Sequence, residues 1–79
     1  MARSRSRVTN GPAILAKREM LGIPQKTLAE RIGVSGSYLS RIENGVETPG
    51  LTSTAVRKLA VELGVSLEEI TVPVEPVPV

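Results

Sequence analysis

The chain has 79 residues, with no cysteine, histidine, tryptophan or phenylalanine and a single tyrosine. That length supports one domain with a thin core, and the missing cysteine and histidine exclude disulfide scaffolds, thiolate or imidazole metal sites, a cysteine nucleophile and a serine–histidine triad. The net charge of +2 is uneven: residues 1–45 hold eight basic and three acidic side chains (+5), residues 46–79 two basic and five acidic (−3), a division that suits a polyanion on one face.

Residues 1–10 (MARSRSRVTN) show no apolar periodicity and read as a flexible basic arm carrying Arg3, Arg5 and Arg7. Asn10-Gly11-Pro12 announces a first helix: an N-cap candidate, then a proline in the first turn, where its missing N–H costs nothing. Ile14, Leu15, Arg18 and Leu21 recur at helical spacing, and Gly22 stops the run. A second helix spans about 24–32, with Leu28, Ala29 and Ile32 on one stripe, and Gly33 ends it. Ser35 has the chemistry of an N-cap for a third helix, which Tyr38, Leu39 and Ile42 carry to Asn44-Gly45.

Residues 46–52 are turn-rich and read as loop. A fourth helix, about 53–63, buries Val56, Leu59, Ala60 and Leu63 and stops at Gly64. Ser66-Leu67-Glu68-Glu69 has capping-box spacing and opens a short fifth helix ending near Ile70. The Val/Pro tail, 71–79, cannot continue that helix and favours an extended conformation. Its prolines cannot donate to a ladder, so disorder is expected there rather than pairing. Every strong periodicity is helical. The expected fold is therefore all-α, with a compact five-helix domain over 11–70 between a flexible arm and an extended tail. Residues 8–16 are free of charge but broken by Asn10, Gly11 and Pro12, so they make neither a membrane span nor a signal core. A cytoplasmic protein without membrane contact is expected.

The informative stretch is 25–45, QKTLAERIGVSGSYLSRIENG. Two short helices joined by Gly33-Val34-Ser35 must cross steeply rather than lie antiparallel. Ala29 is small where the helices approach, and Gly33 can take the left-handed conformation that a sharp turn after a helix needs. With Val34, Leu39 and Ile42 buried, the outward surface is Ser35, Gly36, Ser37, Ser40 and Arg41: small, polar and rich in donors.

These residues carry a family resemblance. Leu15, Arg18, Gly22-Ile23, Gln25 and Leu28-Ala29, then Gly33-Val34-Ser35, Leu39-Ser40 and Ile42-Glu43-Asn44-Gly45, and later Leu59-Ala60 and Leu63-Gly64-Val65-Ser66 resemble the Cro/repressor-type (Xre) helix-turn-helix family. The match runs over about 13–70. It implies a lambda-repressor-like domain that binds double-stranded DNA as a transcriptional regulator, usually as a homodimer on a palindrome, with no cofactor and no small-molecule ligand expected.

By that resemblance the recognition helix, about 36–44, enters the major groove, and Ser37 and Arg41 meet base edges there. Arg41 can bond guanine O6 and N7 together, worth roughly 1–3 kcal/mol of discrimination. Gly36 and Ser40 occupy neighbouring base-facing positions, although Gly36 has no side chain to read with. Gln25 matches the family's phosphate-contacting glutamine at a helix N-terminus, and Lys26 follows it. Ser35 is expected both to cap and to donate to phosphate. Asn44 serves as a phosphate ligand, a helix cap or both, and the Tyr38 hydroxyl either reaches phosphate or belongs to a half-buried packing role. Arg3, Arg5 and Arg7 are expected to grip DNA from the arm. Arg18 and Glu43 match a pair of positions that form an internal ion pair in the family. Two departures stand out. Pro24 replaces the usual Ser or Thr cap, and the loop after Gly45 is about two residues longer than usual, with Glu47 placed unhelpfully for phosphate.

A stand-alone regulator of the phage Cro or small repressor kind is the leading reading. A restriction–modification controller is close to it, and an antitoxin whose acidic C-terminal half binds a toxin is a rival of a different class. An enzyme lacks every required constellation: no nucleophile–base pair, metal cluster or phosphate loop is present.

Overall fold

A computed structural model describes residues 6–74 of the chain. Asn10 opens the first helix, α1 (Gly11–Met20), by accepting a hydrogen bond from the Ala13 N–H at 3.3 Å, with Pro12 in the first turn. The second helix, α2 (Gln25–Ile32), begins after Pro24, whose extended backbone directs the chain without a side-chain cap. Gly33 closes it at φ 77°, in the left-handed region, where a Cβ would be strained. The Ser35 hydroxyl accepts from the Tyr38 N–H at 3.0 Å and starts α3 (Gly36–Glu43). After the loop comes α4 (Thr54–Leu63), ending at Gly64.

The apolar stripes of these helices converge on one core. Ile14 from α1, Leu28, Ala29 and Ile32 from α2, Leu39 and Ile42 from α3, and Val56, Leu59, Ala60 and Leu63 from α4 are buried together with Ile70. Each large aliphatic side chain placed there contributes about 1.5–3 kcal/mol by leaving water. Leu21 departs from the sequence pattern: it is the C-cap residue of α1 and stands 49% exposed, off the buried stripe.

Two expectations need correction. The fifth helix is a single 3-10 turn, Leu67–Ile70, although its Ser66–Glu69 capping box forms as its spacing requires. Among the described residues there are thus four α-helices. Nor is the fold purely helical: β1 (Ser6–Thr9) pairs antiparallel with β2 (Thr71–Val74), bringing Ser6 opposite Val74 and Thr9 opposite Thr71. Residues 6–10 are therefore not a flexible arm, and 71–74 are extended but paired.

Pro73 fits because of register. The Arg7 carbonyl and the Thr9 N–H point away from β2, bonding the Leu51 N–H and the Pro49 carbonyl at 3.1 and 3.0 Å. Backbone groups alternate sides along a strand, so Ser6 and Val8 make the bonds to β2. Pro73, opposite Arg7, stands where an N–H would face outward, and no ladder bond is lost. On its other side β1 also bridges Gly50 through Val8, which ties the 46–52 loop to the sheet.

Candidate nucleic-acid interface

The two helices of the expected motif sit on one framework. Ala29 is buried, the Val34 N–H donates to its carbonyl at 3.0 Å, and the Gly33 N–H bonds Glu30 at 3.2 Å. Three residues thus turn the chain from α2 into α3, with the Gly33 and Val34 N–H groups bonded back to α2. Leu39, Ile42 and Glu43 face inward, which leaves Gly36, Ser37 and Arg41 exposed and Ser40 half-buried on the outer side of α3. A Cβ at Gly36 would meet open space, so folding does not require glycine there.

Beneath this face is a polar knot. The Glu43 carboxylate, 2% exposed, accepts from Arg18 Nε at 2.7 Å and Nη2 at 3.1 Å. It also accepts from Gln25 Nε2 at 2.9 Å, while Arg18 Nη1 donates to the Ile23 carbonyl at 3.0 Å. One buried carboxylate thereby links α1, α2 and α3, and its charge is matched by a two-pronged guanidinium bond. Gln25 stands at the start of α2 as expected, but its amide nitrogen is engaged by Glu43. What α2 still presents outward at that end is its first-turn N–H groups, which Pro24 leaves without a side-chain cap, with Lys26 exposed beside them. Uncapped N–H groups at a helix start suit an anion.

Asn44 is the C-cap of α3: its Nδ2 donates to the Ser40 carbonyl at 2.9 Å and to Ser40 Oγ at 3.3 Å. Tyr38 is half-buried against the core, and the Arg41 guanidinium lies 5.8 Å from its ring centroid. Arg7 has a different place from the one expected of an arm residue. Its Nε donates to Thr71 Oγ1 at 2.8 Å, and its Nη2 donates to the Thr71 and Glu68 carbonyls at 3.0 and 3.3 Å. Arg3 and Arg5 lie outside the described residues.

Three contacts had no signal strong enough to be read from sequence. The Arg41–Glu47 ion pair, at 3.4 Å, joins residues six apart through a loop. The Gln25–Glu43 bond couples two helices. Gly11 touches the end of α3, where a Cβ would overlap the Ile42 and Glu43 carbonyls; a glycine just before a helical proline was the available hint. Among the described residues, no group of three or more acidic side chains could hold a metal ion, and no helix is long and apolar enough to cross a membrane.

This arrangement, two short helices set by a three-residue turn with the second offering a free polar face, defines a helix-turn-helix module. The family model described as helix-turn-helix matches residues 14–70, and the chain belongs to that family, in its Xre branch. An uncharacterised HTH-type transcriptional regulator of Mycobacterium tuberculosis is 37% identical over 62 residues, which are 78% of this chain and 43% of that protein. Among solved structures, the biofilm master regulator SinR in complex with DNA is 35% identical, with a TM-score of 0.64 over 72% of this chain and 89% of that one. The restriction–modification controller C.AhdI from Aeromonas hydrophila is 29% identical, with a TM-score of 0.67 over 75% and 86%. The chain spans less than half the length of the curated relatives it matches.

Proposed function

We propose that this protein is a sequence-specific transcriptional regulator that places α3 in the major groove of double-stranded DNA. The observation that carries the reading is the two-faced build of α3: Leu39, Ile42 and Glu43 are buried, while Gly36, Ser37 and Arg41 stand exposed with nothing packed over Gly36. In this reading Arg41 and Ser37 read base edges and Ser40 and Gly36 line the approach. Ser35, Lys26, Tyr38, Asn44 and the α2 N-terminus at Gln25 meet phosphates, which fix register without reading sequence. Arg3 and Arg5 add phosphate contacts. The protein acts as a homodimer on a palindrome, its two recognition helices about 34 Å apart, one turn of DNA.

A restriction–modification controller is the second reading, favoured by the C.AhdI likeness, which extends over 86% of that chain. Selection from a random duplex library at fixed salt tests both. An enriched palindromic motif, with half-sites one turn apart, is the expected result. Absence of any enriched motif at low and at moderate salt would overturn sequence-specific binding.

A further inference from the structure

We infer that Glu47 is a positioning residue for base reading: it holds the Arg41 guanidinium in the pose that α3 offers to DNA. The inference rests on the proposed role of Arg41, and three observations carry it. First, Glu47 is anchored by its backbone to the residue it serves, because the Glu47 N–H donates to the Arg41 carbonyl at 3.1 Å, as the Val46 N–H does at 2.9 Å. The chain leaving α3 therefore doubles back onto its last turn. Second, the Glu47 carboxylate makes its closest approach to Nε of Arg41, at 3.4 Å. Among the described residues the Arg41 guanidinium makes this ion-pair contact without a hydrogen bond, so its outer nitrogens Nη1 and Nη2 can address O6 and N7 of one guanine. Third, the Tyr38 ring lies under the same guanidinium, 5.8 Å from centroid to Cζ, within the range of a cation–π contact.

An arginine drawn at its inner nitrogen towards a carboxylate, and set over one ring plane, has fewer poses to lose on binding. A carboxylate in the loop also repels phosphate. Glu47 thus disfavours binding in which α3 sits away from a guanine, and it supports binding in which Arg41 finds one. Its contribution is to discrimination rather than to affinity, and this distinguishes it from a residue that merely stabilises the loop.

The test uses the full chain and the duplex enriched by library selection, together with duplexes that change the base pair read by Arg41. Glu47→Gln, which keeps size and leaves the backbone anchors in place, is expected to lower discrimination at that base pair by about two- to fivefold, the range of a half-exposed ion pair. Discrimination at the other positions and the melting temperature should stay as in the wild type. In an Arg41→Ala background, Glu47→Gln should have no further effect at that base pair. Unchanged discrimination in Glu47→Gln, with discrimination lost in Arg41→Ala, would overturn the positioning role and leave base reading by Arg41 standing. Unchanged discrimination at every position in Arg41→Ala would overturn the base-reading role, and the positioning role with it.

Discussion

Two arginine–glutamate pairs meet α3, and they differ in almost everything except chemistry. Arg18–Glu43 closes at 2.7 Å with side chains 12% and 2% exposed; Arg41–Glu47 stands at 3.4 Å with 47% and 44% exposed. The buried pair has its remaining valences taken up by Gln25 and the Ile23 carbonyl, so it has nothing left to offer a ligand. The exposed pair is half open, and its arginine can exchange solvent for a base edge at little cost. A single turn of helix thus carries one ion pair that fixes where the helix sits and another that stays open to solvent. The same functional groups become scaffold or, in the proposed function, reader according to burial, because a charge inside the protein cannot be left unmatched, whereas one at the surface can change partners.

The comparison breaks most sharply at the buried pair. Arg18→Met should destabilise the domain by about 3–5 kcal/mol, since Glu43 keeps its charge without its partner. Adding Glu43→Leu should recover much of that loss. Urea denaturation of the single and double variants measures both, and equal midpoints for the wild type and Arg18→Met would remove the buried pair from any role in stability. Gly11→Ala attacks the same end of α3 by steric means. Its Cβ would lie 2.6 Å from the Glu43 carbonyl oxygen, and a loss of about 1–3 kcal/mol is expected from the forced shift, read as a lowered melting temperature.

The exposed side should respond in binding and not in folding. Arg41→Ala should cost about 1–3 kcal/mol of specific over non-specific affinity while the melting temperature stays within the scatter of surface substitutions. Arg7→Ala sharpens the division from another direction, because a residue read from sequence as a DNA-gripping arm is occupied by Thr71 and Glu68. It should cost about 1–2 kcal/mol of stability through lost hydrogen bonds, with the slope of binding against salt unchanged. A slope flattened by ~0.9 log unit would mark a lost phosphate contact instead. Smallest of all, Gly36→Ala should be neutral or stabilising by up to about 1 kcal/mol in thermal melts, as expected when alanine replaces glycine in a helix with open space around it.

Much of the helical framework was legible because its signals are local. Asn10, Ser35 and the Ser66–Glu69 box cap helices within four residues of themselves, and the Leu28–Ala29–Ile32 stripe needs only its own periodicity. The sheet was not legible. Ser6–Thr9 and Thr71–Val74 are four residues each, and β1 holds one aliphatic residue. Pro73 argues against a ladder until register shows that its nitrogen faces outward. The partners of Arg7 are hidden for the same reason, since they lie more than sixty residues away. At the candidate site, the family positions of Arg18 and Glu43 could be named in advance, and the two side chains do meet. The diversion of Gln25 onto Glu43, and of Glu47 onto Arg41, depends on how helices and loop come together in space, which no spacing rule encodes.

The pairing of Ser6 with Val74 gives the domain a nearly circular topology. Its first and last described elements lie across one ladder, so a covalent link between positions 6 and 74 would join points that the native state already holds together. The folded protein would not have to move to accept it, and only the unfolded chain would lose freedom. New ends could then be opened elsewhere on the ring, with the 46–52 loop a poor choice because β1 and Arg41 both hold it.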